Sequence, residues 1–329
     1  MDLLTPFSQS QPQPWGSVLL PRALRLPLNP SEVSPPGAGF ERTELEIGFG
    51  NGEYTVHHAA SQPGLLLFGM EVSQGCLLRC AKRARGLNNL RLIRTDARYM
   101  MKELFADEAL DRVYMNFPCP WPKKRHAHRR VTAREFSDDL AAVLKMGGTF
   151  ELLTDEEWYA DEVRRLLGAH EALELRSFEL NPSRAITTKY ERRWLEQGKD
   201  LYRLTFVKDK HFSVTRRCWG EQDMHVKTGQ PLNEDLLPAL VGAVGARGMA
   251  RWVFKKYYTG TGGKREFLLE ALTTDDEFEQ RFYLKLLPRI GDTLIKLDST
   301  AQIFLTPAVR GAMEDLAARL ITGAGEGEA

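Results

Sequence analysis

Net charge is almost absent from this chain: 45 Lys and Arg stand against 44 Asp and Glu in 329 residues, a formal +1. That balance excludes a uniformly basic nucleic-acid coat and confines any polyanion site to a local patch offset by acids elsewhere. Cysteine is scarce. Cys76, Cys80, Cys119 and Cys218 form no CxxC pair and have no histidine at metal-ligand spacing, which argues against a disulfide scaffold and a zinc ribbon alike. No uninterrupted apolar run approaches the roughly 20 residues that cross a bilayer. The N-terminus lacks a basic-then-apolar signal pattern. The expectation is a reduced, cytoplasmic protein with neither a membrane segment nor a metal.

With 43% hydrophobic and 27% charged residues, the chain can bury core for about two domains. Proline crowds its start, in Gln11-Pro12-Gln13-Pro14, Pro27, Pro30, Pro35 and Pro36, so residues 1–42 read as an arm without regular structure. From Thr43 apolar strands alternate with helical patterns. The strands are expected at Leu45–Phe49, Leu65–Val72, Leu90–Thr95, Arg112–Phe117 and Thr149–Thr154. Between them lie helices at Tyr54–Ser61, Gln74–Arg85, Ala97–Phe105 and Ala133–Leu144, and another follows at Asp155–Leu167. This alternation predicts a parallel, Rossmann-like α/β sheet whose ligand sits at the carboxyl ends of the strands. Leu173–Leu180 and Tyr202–Lys208 alternate like a closing strand pair. The rhythm stops near Lys208, so residues 43–208 form one domain and 209–329 a smaller α+β extension with a possible RNA-binding role. Within it, strands are expected at His211–Arg217 and Arg251–Tyr258, helices at Leu236–Val244 and Pro307–Leu320, and a basic glycine-rich turn at Lys255–Arg265.

Glu46-Ile47-Gly48-Phe49-Gly50-Asn51-Gly52 closes the first strand and opens a helix, where glycines permit a tight turn and close ligand approach. The spacing is GxGxG with an acid before it, not the GxGxxG that seats a pyrophosphate. An acid there suits a ligand carrying an ammonium and a sulfonium, as S-adenosyl-L-methionine does. Glu71 ends the second strand, where a carboxylate accepts ribose hydroxyls; Asp96 ends the third, within reach of an adenine amino group. The bland alternative is a glycine turn beside ordinary surface carboxylates.

Phe117-Pro118-Cys119-Pro120-Trp121-Pro122 leaves the fourth strand as a stiff loop, because prolines fix φ and remove backbone donors. Six Lys/Arg and two His follow within fourteen residues with no acid. Lys124, Arg125, Arg129 and Arg130 are read from this density as contacts to an RNA backbone. His126 and His128 have no third ligand at metal spacing. Trp121 either anchors the loop or lies near a base.

Taken together, the glycine motif, Asp96, the FPxPWPKKRH run with Arg129-Arg130, Leu153-Thr154-Asp155-Glu156-Glu157-Trp158-Tyr159 and Thr188-Lys189-Tyr190-Glu191 resemble the bacterial tRNA (guanine-N7)-methyltransferase family, TrmB, over roughly residues 43–208. The resemblance implies a class I methyltransferase sheet, with Glu46, Gly48, Gly50, Glu71 and Asp96 contacting S-adenosyl-L-methionine. It also implies a tRNA substrate, methylated on the variable-loop guanosine at nucleotide position 46. Lys123, Asp155, Thr188, Lys189, Tyr190 and Glu191 become substrate contacts. Family members carry an aspartate between the two prolines, assigned to cofactor and catalysis; this chain has Cys119 there.

Guanine N7 has an in-plane lone pair and loses no proton, so the reaction needs placement more than a base. Positive charge growing on the purine favours a nearby carboxylate, a role open to Asp155. Cys119, beside Lys123 and Arg125, contributes either as a partial thiolate or merely as a small loop residue. Two other functions stay open: a tRNA-binding protein of the same fold that lost catalysis with the aspartate, and an RNA cytosine-C5 methyltransferase attacking through the Pro118-Cys119 thiolate.

Overall fold

The computed structural model describes residues 17–132, 135–183, 198–261, 265–298 and 302–322. They form two compact units. The first comprises Met1–Leu19 with Leu28–Thr215, and the second Leu20–Pro27 with Arg216–Ala329.

Strands in the first unit are β1 (Val18–Leu19), β3 (Arg42–Ile47), β4 (Leu65–Glu71), β5 (Leu90–Arg94), β6 (Leu110–Asn116), β7 (Leu144–Thr154), β8 (Leu173–Leu180) and β9 (Tyr202–Lys208). They make one sheet in the order β1-β5-β4-β3-β6-β7-β9-β8. All neighbours are parallel except β9, which runs antiparallel to both β7 and β8. Helices α1 (Glu53–Ser61), α2 (Gln74–Arg83), α3 (Ala97–Leu104), α4 (Phe136–Val143) and α5 (Glu157–Gly168) form the crossovers.

The sequence explains the central strands. Leu65 to Met70 are all buried, a continuous apolar run that requires cover on both faces; each large side chain there contributes about 1.5–3 kcal/mol of burial. Gly69 interrupts it because a Cβ would stand 2.6 Å from Phe49 Cδ1. From β3 the chain winds one way through β4 and β5, then returns to lay β6 against the other side of β3. The reversal opens a crevice between the carboxyl ends of β3 and β6, where ligands of such sheets bind.

Boundaries differ from expectation in physical ways. β3 stops at Ile47 because Gly48 turns to φ +76°. The helix expected at Ala133–Leu144 ends at Val143, and β7 begins at once with Leu144. In the expected arm, Val18 and Leu19 pair with Leu92 and Ile93 of β5, while Leu24 and Leu26 are buried.

The second unit holds β2 (Arg25–Leu26) paired with β10 (Gly220–Glu221), and a six-stranded antiparallel sheet. That sheet orders β11 (His225–Lys227), β16 (Asp292–Leu297), β15 (Phe278–Arg289), β14 (Phe267–Asp275), β13 (Ala250–Thr259) and β12 (Val244–Arg247). The helix Pro307–Thr322 packs on one face, with Val309, Ala312, Met313 and Leu316 against Trp252, Phe254 and Leu284. Trp252 Nε1 donates to Asp315 Oδ2 at 2.8 Å. No strand forms at His211–Arg217. The helix expected at Leu236–Val244 is one short turn, Leu237–Leu240, and Val244 starts β12 instead. The strand expected at Arg251–Tyr258 forms as β13, so the basic turn expected from Lys255 does not interrupt it before Thr259. Among the described residues no helix is long and apolar enough to cross a membrane.

Candidate active site

The crevice is built first from β3. Glu46 is buried, accepting from Thr55 Oγ1 of α1 at 2.6 Å and from Asn116 Nδ2 at the end of β6 at 3.2 Å. One carboxylate therefore ties both lips of the switch point. Beyond it Gly48, Gly50 and Gly52 adopt φ of +76°, +53° and +73°. A Cβ at Gly48 or Gly50 would meet nothing within 4 Å, so open space lies over this turn, and the glycines answer to backbone conformation and to what approaches from outside. Gly52 differs: its Cβ would collide with Cys80 Sγ at 2.2 Å. Burial pushes the Cys80 thiol up to about 12, helped by the Glu46 charge. Burial, with Glu46 second, likewise raises the Tyr114 hydroxyl well above its usual value. Both stay protonated beside the Glu46 carboxylate.

Glu71, at the end of β4, accepts from Gly50 N at 3.0 Å and from Ser73 N at 2.9 Å. It thereby fixes the glycine turn. Asp96 caps α3 through Arg98 N at 3.0 Å. Both its oxygens are also engaged by the Arg98 side chain, which the sequence did not flag.

On the β6 side the loop leaves through Phe117, at φ +52°, anchored by its N–H to Leu153 O at 2.8 Å, and bends again at Trp121, φ +45°. Cys119 is exposed between these two bends. The basic run then folds as a 3-10 helix, Lys124–Arg129, which sends adjacent residues to different sides. Lys123, Lys124, Arg125 and Arg129 are exposed. Arg129 lies over the Trp121 ring, 5.1 Å from its centroid, and His126 stacks near the same ring at 5.8 Å.

Arg130 does not belong with them. It is buried, and its guanidinium donates to Pro120 O at 2.9 Å and Trp121 O at 3.1 Å and pairs with Glu162 of α5 at 2.6 Å. A buried side chain held by these partners pins the loop, a role other than the phosphate contact expected from the sequence. Trp158 closes the cluster beneath it, 5.0 Å from the Arg130 guanidinium.

Asp155 follows β7 and meets Lys199 Nζ at 2.5 Å; that bond raises the lysine's own proton affinity. Thr188, Lys189, Tyr190 and Glu191 lie outside the described residues. No cluster of three or more His, Cys, Asp or Glu able to hold a metal occurs among the described residues. Arg98, Asn116, Glu162 and Lys199 are the partners that sequence reasoning missed. Asn116 carried a signal, as a polar residue ending an apolar strand; Glu162 and Lys199 carried none.

Residues 41–204 match the model of a family described as "Putative methyltransferase". A tRNA (guanine-N(7)-)-methyltransferase of Thermotoga maritima is 39% identical over 290 residues, 87% of this chain and 90% of that one. Its counterpart in Thermus thermophilus is 31% identical over 281 residues, 84% and 88% of the two chains. Among solved structures, a 16S rRNA (adenine(1408)-N(1))-methyltransferase from Catenulisporales acidiphilia aligns with a TM-score of 0.43 and 18% identity, over 57% of this chain and 95% of that one. Identity at this level runs through the crevice unit and well into the C-terminal unit, and the chain belongs to the tRNA (guanine-N(7)-)-methyltransferase family.

Proposed function

We propose that this chain transfers a methyl group to N7 of the variable-loop guanosine of tRNA, with S-adenosyl-L-methionine as donor, in the cytoplasm. The observation that carries the reading is the Asn116–Glu46 hydrogen bond. It locks the acid-flanked glycine turn of β3 to the root of the Phe117–Pro122 loop, so donor and acceptor sites share one crevice.

When bound, S-adenosyl-L-methionine supplies an electrophilic methyl group on a sulfonium. The residues present fit such a ligand: open space over Gly48 and Gly50, a buried carboxylate at Glu46 and a second at Glu71. Carboxylates suit an ammonium and ribose hydroxyls, and they repel a pyrophosphate. On the acceptor side N7 needs no base, so the protein's task is to hold the purine in line and to offset the charge that develops on it. Asp155 takes that second task and accepts from the guanine edge, a reading supported by its position after β7 and its bond to Lys199. Lys123, Lys124, Arg125 and Arg129 position the RNA through its phosphates.

Incubating tRNA with the protein and labelled S-adenosyl-L-methionine, then identifying the modified nucleoside, tests the reading. 7-Methylguanosine supports it. 5-Methylcytidine would assign Cys119 as a nucleophile, and no product would leave a tRNA-binding protein.

A further inference from the structure

The sheet of the second unit has two unlike faces. The helix Pro307–Thr322 covers one of them, burying Trp252, Phe254, Leu269, Ala271, Phe282 and Leu284. Strand alternation turns the intervening residues to the other face. There the pairing aligns Tyr258, Leu268, Lys285, Lys296 and His225 in a single row across β13, β14, β15, β16 and β11. Tyr283, two residues before Lys285 on β15, meets Tyr258 edge to face with centroids 6.0 Å apart. The two tyrosines remain 46% and 38% exposed.

The charges in this row are arranged against self-sufficiency. Lys285 and Lys296 stand directly opposite one another on neighbouring strands, and like charges so placed destabilise a sheet. Lys285 has Glu266 at 2.6 Å, whereas Lys296 has no ion-pair partner among the described residues, and its other neighbour in the row is His225. Arg281 is held by the buried Glu270 carboxylate. An anion laid along the row would relieve the lysine pair. A docked protein would favour an uncharged centre. Aromatic rings set in the middle of an open antiparallel sheet and flanked by cations are the arrangement on which unpaired bases stack.

We propose that this open face is a second tRNA contact, on which an unpaired base stacks against the Tyr258–Tyr283 pair while phosphates lie along Lys285 and Lys296. The proposal rests on the functional reading above for the identity of the RNA. It adds a surface outside the crevice unit that holds the substrate by stacking and charge without touching the reacting base.

The test uses the full-length protein and fluorescence anisotropy of labelled, transcribed tRNA across a range of KCl. Replacing both tyrosines (Tyr258→Ala with Tyr283→Ala) should weaken binding about 10-fold or more, and the corresponding phenylalanine pair should restore it, because stacking needs the ring and not the hydroxyl. Lys296→Gln should reduce the slope of log affinity against log salt by about 0.7–0.9. Affinity for S-adenosyl-L-methionine, measured by calorimetry, should hold in every variant. Wild-type affinity and slope in Lys296→Gln and in the folded alanine pair would overturn the proposal. So would a change in self-association in place of tRNA affinity. If the alanine pair does not fold, the phenylalanine pair against Lys296→Gln decides it. Should wild-type protein form no 7-methylguanosine, the functional reading fails alone, since the anisotropy comparison still reports on the face.

Discussion

Arg98 grips Asp96 through Nη2 at 2.6 Å and Nε at 3.1 Å, and with its remaining Nη1 donates to the His128 carbonyl at 2.7 Å. The residue expected to meet the adenine is thus mechanically joined to the basic segment expected to meet RNA. A planar fork with fixed donors can do this, and a lysine cannot. Arg98→Lys should weaken both S-adenosyl-L-methionine and tRNA binding, each by roughly 3–10-fold, about the worth of one ordinary hydrogen bond. Separate titrations of the two ligands check it; an effect on one alone would break the link.

Arg129 and Arg130 should behave as different kinds of residue. Arg129→Ala should flatten the salt dependence of tRNA binding and leave stability alone. Arg130→Ala strands Glu162 and unpins the Pro120 and Trp121 carbonyls. Because Glu162 is partly exposed, the expected loss is about 2–3 kcal/mol, below the range for a fully buried pair. Urea midpoints for the two variants separate these roles.

Under the proposed function, the Asp155 carboxylate offsets the charge on the purine and Lys199, bonded to it, aims it. Lys199→Met should lower kcat/KM about 10-fold while Asp155→Asn lowers it about 100-fold, a range typical of removing one electrostatic contact to a transition state. S-adenosyl-L-methionine affinity should not follow either loss. Calorimetry alongside initial rates provides the comparison.

Cys119 is the exposed thiol, whereas Cys80 and Cys218 are buried. At mildly alkaline pH iodoacetamide should modify Cys119 and spare those two, as mass spectrometry of the tryptic peptides would show. Methylation by a Cys119→Ser variant at wild-type rate would mean that the side chain only fills the loop. A gain from Cys119→Asp would mean that a carboxylate is useful between the two prolines.

Asp139 of α4 lies beside Lys102, and burial pushes its carboxyl up to about 6. Between the ordinary carboxylate value and 6 the folded protein keeps a proton that the unfolded chain has released. The stability this contributes is full below about pH 4 and is lost as pH rises through about 6. Asp139→Asn should remove that limb, so the difference between wild type and variant should shift by on the order of 2 kcal/mol between pH 4 and 7.5. Denaturant melts at the two values measure it.

What could be read from the chain beforehand was whatever periodicity and punctuation encode. The βα alternation, the edge pair Leu173–Leu180 and Tyr202–Lys208, and the strand-end positions of Glu46 and Glu71 follow from local pattern. The second unit was harder because half of each strand faces outward with Lys, Arg and Tyr. Lys255–Tyr258 therefore carried two overlapping readings, the end of a strand and the start of a basic turn; the strand continues through them, with a register irregularity between Phe254 and Tyr257. Arg130 was misread for a different reason. Side by side with Arg129 in sequence, it parts from it at the end of a 3-10 turn to reach Glu162, thirty-two residues away on α5. No local pattern announces a partner that distant.

The stretch Leu20–Pro27 belongs with the unit that begins again at Arg216, and among the described residues β2 pairs only with β10. During synthesis that strand emerges early and then waits for roughly two hundred further residues, about ten to forty seconds at ordinary translation rates. The backbone of that strand stays without its partner for the interval, because β10 has not yet been made. A shortened protein ending at Lys208 would never acquire that partner.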